Sequence, residues 1–163
     1  MKPVVVGVMV LFGAFLVYDR YPVEAQTKPP KIDTRLVVTQ DNVKAGRLIN
    51  ASLIVDIPSG YHVNAHEPIS RFALPTKIEV QVPEGYKLGP IFYPRAVVRK
   101  FSFTDERLGV YEKRAVIKFS LRIPPNERQR ITTLKAVLNY QSCSNEVCFP
   151  PKKQEATVAL KVI

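Results

Sequence analysis

The chain has 163 residues, 46% of them hydrophobic, and 24 Lys and Arg outweigh 14 Asp and Glu for a formal net charge of +10. That is enough chain for one domain with a genuine core, and neither an internal repeat nor a second domain is visible. The cations are scattered along many segments with no nucleic-acid motif beside them, so they read as solvated surface rather than a nucleic-acid site.

The chain opens with Lys2, a mostly apolar run from Val4 to Val17, and small residues at Val23-Glu24-Ala25. The run is shorter than the ~20 apolar residues that span a bilayer, so residues 1–25 read as a cleaved export signal. The polar, bulky Tyr18-Asp19-Arg20-Tyr21 keeps an uncleaved N-terminal anchor as the rival reading. Either way the rest is expected to be periplasmic or otherwise exported, where disulfides persist. Residues 26–34, with Pro29-Pro30, read as a leader, and 35–163 as the domain.

From there, period-two alternation recurs. Ile49, Ala51, Leu53, Val55 and Ile57 form one apolar face, and Ile78, Val80 and Val82 a second. Ile117, Phe119, Leu121 and Ile123 form another, followed by Leu134, Ala136, Leu138 and Tyr140, then Val158, Leu160 and Val162. Each places apolar side chains on one side of a strand. Pro58-Ser59-Gly60, Pro83-Glu84-Gly85 and Pro124-Pro125-Asn126 punctuate them as turns. No helical period appears beyond the N-terminal run. The expected fold is all-β, an immunoglobulin-like antiparallel β-sandwich, with Leu53, Val55, Phe119, Leu121, Leu138 and Leu160 in its core.

Residues 89–111 break the pattern. They carry Phe92, Tyr93, Phe101, Phe103 and Tyr111 together with Arg95, Arg99 and Lys100. This stretch is expected to be a long irregular connection, either packed on the sandwich or folded over a reactive site.

The only two cysteines, Cys143 and Cys148, lie between strand-like segments with four residues separating them. They can close a disulfide across the end of a hairpin or act as a pair of thiols that open and close together. As a staple the pair is weak, because so short a loop gives only about 2 kcal/mol in the chain-entropy picture. Redox use needs one exposed thiol and a second beside it to resolve a mixed disulfide. Phe149-Pro150-Pro151 stiffens the exit, since neither proline has an N–H for a ladder. His62 and His66, with Glu67 and the thiols, offer a metal set on paper; the Gly60 and Pro68 flanks favour structural or site-lining roles. No paired carboxylates, Ser/His/Asp set or phosphate loop stands out, so neither a cofactor nor a small-molecule substrate is expected.

Tyr140-Gln141-Ser142-Cys143 through Cys148-Phe149-Pro150-Pro151 resembles the signature of the N-terminal periplasmic domain of the DsbD thiol:disulfide interchange family. Gly60-Tyr61-His62-Val63-Asn64-Ala65-His66-Glu67-Pro68, Leu74-Pro75-Thr76-Lys77-Ile78-Glu79-Val80, Phe101-Ser102-Phe103 and Val110-Tyr111-Glu112 are similar to it too, in the expected order. The resemblance implies a module that relays electrons by dithiol/disulfide exchange. Its donor would be a thioredoxin-like or DsbD-type membrane redox protein, and its acceptors oxidised exported proteins. It also implies that Cys148 meets the partner and Cys143 resolves, with Phe101 and Phe103 as the cap and His62 and Asn64 lining the site. As an enzyme it would be a protein-disulfide reductase component that needs its partner. Full-length members carry a membrane domain and a thioredoxin-like domain beyond this module, whereas this sequence stops at Ile163. The expectation is therefore a stand-alone relay. The alternative is a non-catalytic partner-binding domain whose disulfide is a permanent clip.

Overall fold

A computed structural model describes residues 28–40, 42–128 and 130–163, so the expected signal segment lies outside the described residues. Among them there is no helix, only twelve strands in three four-stranded sheets. The first sheet joins β1 (Asp33–Val38), β3 (Leu48–Asp56), β9 (Arg114–Arg122) and β6 (Lys87–Leu88) in that order. The second joins β2 (Asn42–Val43), β12 (Lys152–Val162), β10 (Arg130–Tyr140) and β5 (Lys77–Gln81). Pairing is antiparallel except between β12 and β2.

The alternating segments became these strands because one-sided apolarity is what two packed sheets bury. Leu53, Val55, Phe119, Leu121, Leu138 and Leu160 all lie in one continuous core. The turns behave as their residues demand. Tyr61 N–H donates to Pro58 O and Tyr86 N–H to Pro83 O, with Gly60 and Gly85 both at φ 82°. Such turns need a positive φ at the third position, which glycine adopts without a Cβ penalty. Strand β1 begins at Asp33, inside the expected 26–34 leader, and Ile32 just before it is already buried.

The third sheet orders β11 (Ser142–Cys143), β4 (His62–Asn64), β8 (Arg107–Tyr111) and β7 (Val97–Lys100). It corrects the expectation of an irregular 89–111 connection: β7 and β8 form a hairpin registered from Val97↔Val110 to Lys100↔Arg107. Arg99 clamps it, donating from Nε and Nη2 to the two Glu112 carboxylate oxygens at 3.0 Å each. All four β7 residues are exposed, so the strand has no buried face to write an alternating pattern into the sequence. This small sheet carries the cysteine pair.

Candidate redox site at the end of the third sheet

Cys143 and Cys148 form a disulfide, with Cα atoms 4.0 Å apart and the two residues paired antiparallel. The four intervening residues make a tight turn. Ser144 N–H donates to Val147 O at 2.8 Å, and Phe149 N–H to Ser142 O at 2.9 Å. The Ser144 hydroxyl accepts from the N–H groups of Glu146 and Val147, both at 3.2 Å. A serine hydroxyl that caps the turn's own amides fixes a loop too short to have a core. Beyond Phe149, the two prolines end the pairing before β12 begins at Lys152.

Strand β4 holds the pair from the other side. Its register places Val63 opposite Ser142 and His62 opposite Cys143. Directly opposed residues project to the same face, so His62 shares the face of the Cys143 side chain. Asn64 is two residues on and projects the same way. Its amide donates from Nδ2 to Gln141 Oε1 at 3.1 Å, and Gln141 Nε2 donates in turn to Phe149 O at 3.1 Å. That chain ties β4 to both ends of the cysteine turn.

The tip of the β7–β8 hairpin folds over this face. The Phe101 ring stacks on His62 with centroids 3.9 Å apart and planes 12° apart, and Phe103 stacks outside Phe101 at 5.4 Å. Leu108 and Val110 back Phe101 in a small apolar cluster of their own, joined by Ala73. Ser102 Oγ donates to Asn145 O at 2.8 Å, so the aromatic tip is hydrogen-bonded to the cysteine turn itself.

Burial divides the pair: Cys143 is 0% exposed, whereas Cys148 is half-buried and reaches the surface in part. His62 is 2% exposed, and its Nε2 has no hydrogen-bond partner. Burial pulls its pKa down to about 4 against a weaker opposing pull from Glu112, so the imidazole beside the disulfide is neutral at pH 7.

The structure thus brings Cys143, Cys148, His62, Asn64, Phe101 and Phe103 to one end of one sheet. It does not bring His66 there. That ring stacks on Tyr93 at 3.7 Å, and its Nδ1 lies 3.0 Å from Thr76 O. Among the described residues no group of three or more His, Cys, Asp or Glu could hold a metal ion. Sequence reasoning missed Gln141 and Ser102, the residues that link the turn to β4 and to the tip. The signal was their place in the family-like segments, Gln141 two residues before Cys143 and Ser102 between the two phenylalanines.

Residues 33–160 match the family model described as thiol:disulfide interchange protein DsbD, N-terminal. The chain belongs to that family. No curated protein matches it. Among solved structures it is similar to the N-terminal periplasmic domain of ScsB from Proteus mirabilis, at 14% identity with a TM-score of 0.53. That likeness covers 78% of this chain and 45% of the other, so the chain spans less than half of the ScsB structure, and at this identity it concerns the fold alone. A family 123 glycoside hydrolase from Clostridium perfringens aligns over 82% of this chain and 27% of its own, at 9% identity and a TM-score of only 0.34. The DsbD N-terminal family fits a β-sandwich that carries its cysteines at one end of a capped sheet.

Proposed function

We propose that the domain is an exported, periplasmic thiol:disulfide interchange module whose reversible pair is Cys143–Cys148. Residues 1–25 deliver it as a signal or hold it as an anchor, and the β-sandwich that follows, from Asp33 onward, does the work. The observation that carries this reading is the inequality within the pair. Cys143 is fully buried opposite His62 and the Phe101 ring stacked on it, while Cys148 is only half-buried, in a family named for interchange.

The chemistry follows. A thiolate of a thioredoxin-like or DsbD-type donor attacks Sγ of Cys148, the S–S bond breaks, and Cys143 departs with the electron pair and takes up a proton. The donor's second thiol gives up its proton and attacks the donor's first sulfur in the mixed disulfide, releasing Cys148, which takes up the proton that the first donor thiol shed on becoming a thiolate. Two electrons and two protons have then moved from the donor, now a disulfide, to the pair. Run in the other direction, reduced Cys148 attacks the disulfide of an oxidised exported protein and Cys143 resolves the complex. His62 and Asn64 line the site, and Phe101 and Phe103 shield it between encounters. Opening the shield gives up the ring stacking and the Ser102 hydrogen bond, roughly 2–3 kcal/mol together. A docking partner can offset that.

Equilibration with glutathione or reduced thioredoxin tests the reading. A working pair equilibrates in the folded state at a potential above roughly −300 mV. A bond that yields only when the domain unfolds would establish the permanent clip and a non-catalytic binding domain instead.

A further inference from the structure

Beside the cysteine turn, the outer face of the β12–β10–β5 sheet changes its charge pattern. Lys77, Asn139 and Lys153 form one cross-strand row and project together to that face. Farther along, cation meets anion: Lys135 Nζ lies 2.7 Å from Glu155 Oε1, while Glu79 accepts from Asn139 Nδ2. At the cysteine end this matching stops. None of the ion pairs among the described residues engages Lys77, Lys152 or Lys153.

These three lysines rim a groove of about 300 Å³ walled by Leu74, Pro75, Tyr140 and Pro151. The groove begins three residues past Cys148 and runs toward the foot of the cap, where Ala73 joins the Phe101 cluster. Two residues before Leu74, Phe72 is 74% exposed with the Arg71 guanidinium 4.7 Å from its ring centre. The acid on the neighbouring turn is Glu146, itself exposed. An apolar floor ringed by unmatched cations suits an apolar segment that carries carboxylates.

We propose that this groove seats the redox partner, and that the partner is a thioredoxin-like protein with carboxylates on the face around its reactive cysteine. The inference rests on the interchange reading and adds the chemistry of the partner. Complementary charge steers encounter and fixes register, and its effect fades as salt screens it. A partner held by these lysines lies beside the sulfur that exchanges.

The test follows reduction of the oxidised protein by a reduced thioredoxin with carboxylates bordering its active site, over ionic strengths from about 20 to 500 mM. Dithiothreitol serves as the small neutral reductant. The thioredoxin rate should fall about ten-fold or more across that range, as steered encounters do. K77E/K152E/K153E should lower the ratio of the thioredoxin rate to the dithiothreitol rate by about ten-fold and flatten the salt dependence. The milder K77Q/K152Q/K153Q, with circular dichroism as the folding check, should fall between. A salt-independent thioredoxin rate, or an unchanged ratio in both variants, overturns the proposal. It also fails if the lysines affect only binding to phosphatidylglycerol vesicles or DNA while exchange keeps its rate. Refusal of the folded protein to react even with dithiothreitol would instead strike the interchange reading, and this proposal with it.

Discussion

His62 and Cys143 face each other across the β4–β11 pair, so the disulfide shares its face of the sheet with an imidazole that is buried and uncharged. Phe101 stacks on that imidazole and Ser102 pins the tip to the cysteine turn. The buried cysteine therefore has an aromatic neighbour that carries no charge at neutral pH while the disulfide is closed.

The buried ring makes stability depend on pH. Its pKa lies near 4 in the fold and near the ordinary 6.5 when unfolded, so between these values the unfolded chain binds the extra proton. Stability from this group is fully present above pH ~6.5 and is lost as pH falls toward 4, by at most ~3 kcal/mol. Urea melts at pH 7 and pH 4.5 should show the loss in the wild type and a smaller one in His62→Phe. Equal losses in both would clear His62 of the effect.

Trimming the cap should loosen the guard on the thiols. Phe101→Ala removes the ring on His62 and should speed alkylation of the reduced protein by iodoacetamide up to about ten-fold, the equivalent of ~1.4 kcal/mol. Phe103→Ala, lying farther out, should have less effect. Ser102→Ala loses one hydrogen bond, worth about 1 kcal/mol, and should fall within the same range. Unchanged alkylation in all three would mean that the aromatic tip does not guard the pair.

Gln141 should matter more than its place in a turn suggests. Gln141→Ala strips the partner from Asn64 Nδ2 and from Phe149 O in one step. Groups left unpaired in part-buried surroundings cost about 1–3 kcal/mol, which chemical denaturation can resolve. A stability within ~0.5 kcal/mol of wild type would show that water takes over both roles.

The sandwich was legible where one face of a strand is buried and the other is wet. Strands β3, β5, β9, β10 and β12 announce themselves by alternation because Leu53, Ile78, Phe119, Leu138 and Leu160 point inward from wet-sided strands. The third sheet was not legible, for two opposite reasons. All three β4 residues are buried, since Val63 joins the main core while His62 and Asn64 lie under the cap side, which erases the period. All four β7 residues are exposed, which erases it as well. The segments around the cysteines were visible through family resemblance rather than periodicity. Gln141, with two side-chain hydrogen bonds, and Ser102, with one, act on residues in other strands and turns, which no local pattern encodes.

Reduction should leave the fold standing. The loop closed by the disulfide is so short that its loss costs about 2 kcal/mol, and the continuous core does not depend on it. The Cys143→Ser/Cys148→Ser double variant should melt cooperatively with Tm lowered by less than about 10 °C. Loss of cooperative melting would show that the pair is a structural staple.

The central claim is that Cys148 exchanges disulfides with a thioredoxin-like partner while Cys143 resolves, and single-cysteine trapping tests it most directly. Cys143→Ser leaves the half-buried cysteine with no neighbour in its own chain to resolve the complex, and Cys148→Ser leaves only the fully buried one. Each reduced variant is mixed with a thioredoxin-like protein that keeps only its reactive cysteine, activated as a mixed disulfide with thionitrobenzoate, which leaves as the free thiolate, and the mixture is run on a non-reducing gel. The account predicts a covalent complex that accumulates with Cys143→Ser and is far weaker with Cys148→Ser. Equal trapping by both would contradict the division of roles, and no trapping by either would contradict exchange itself.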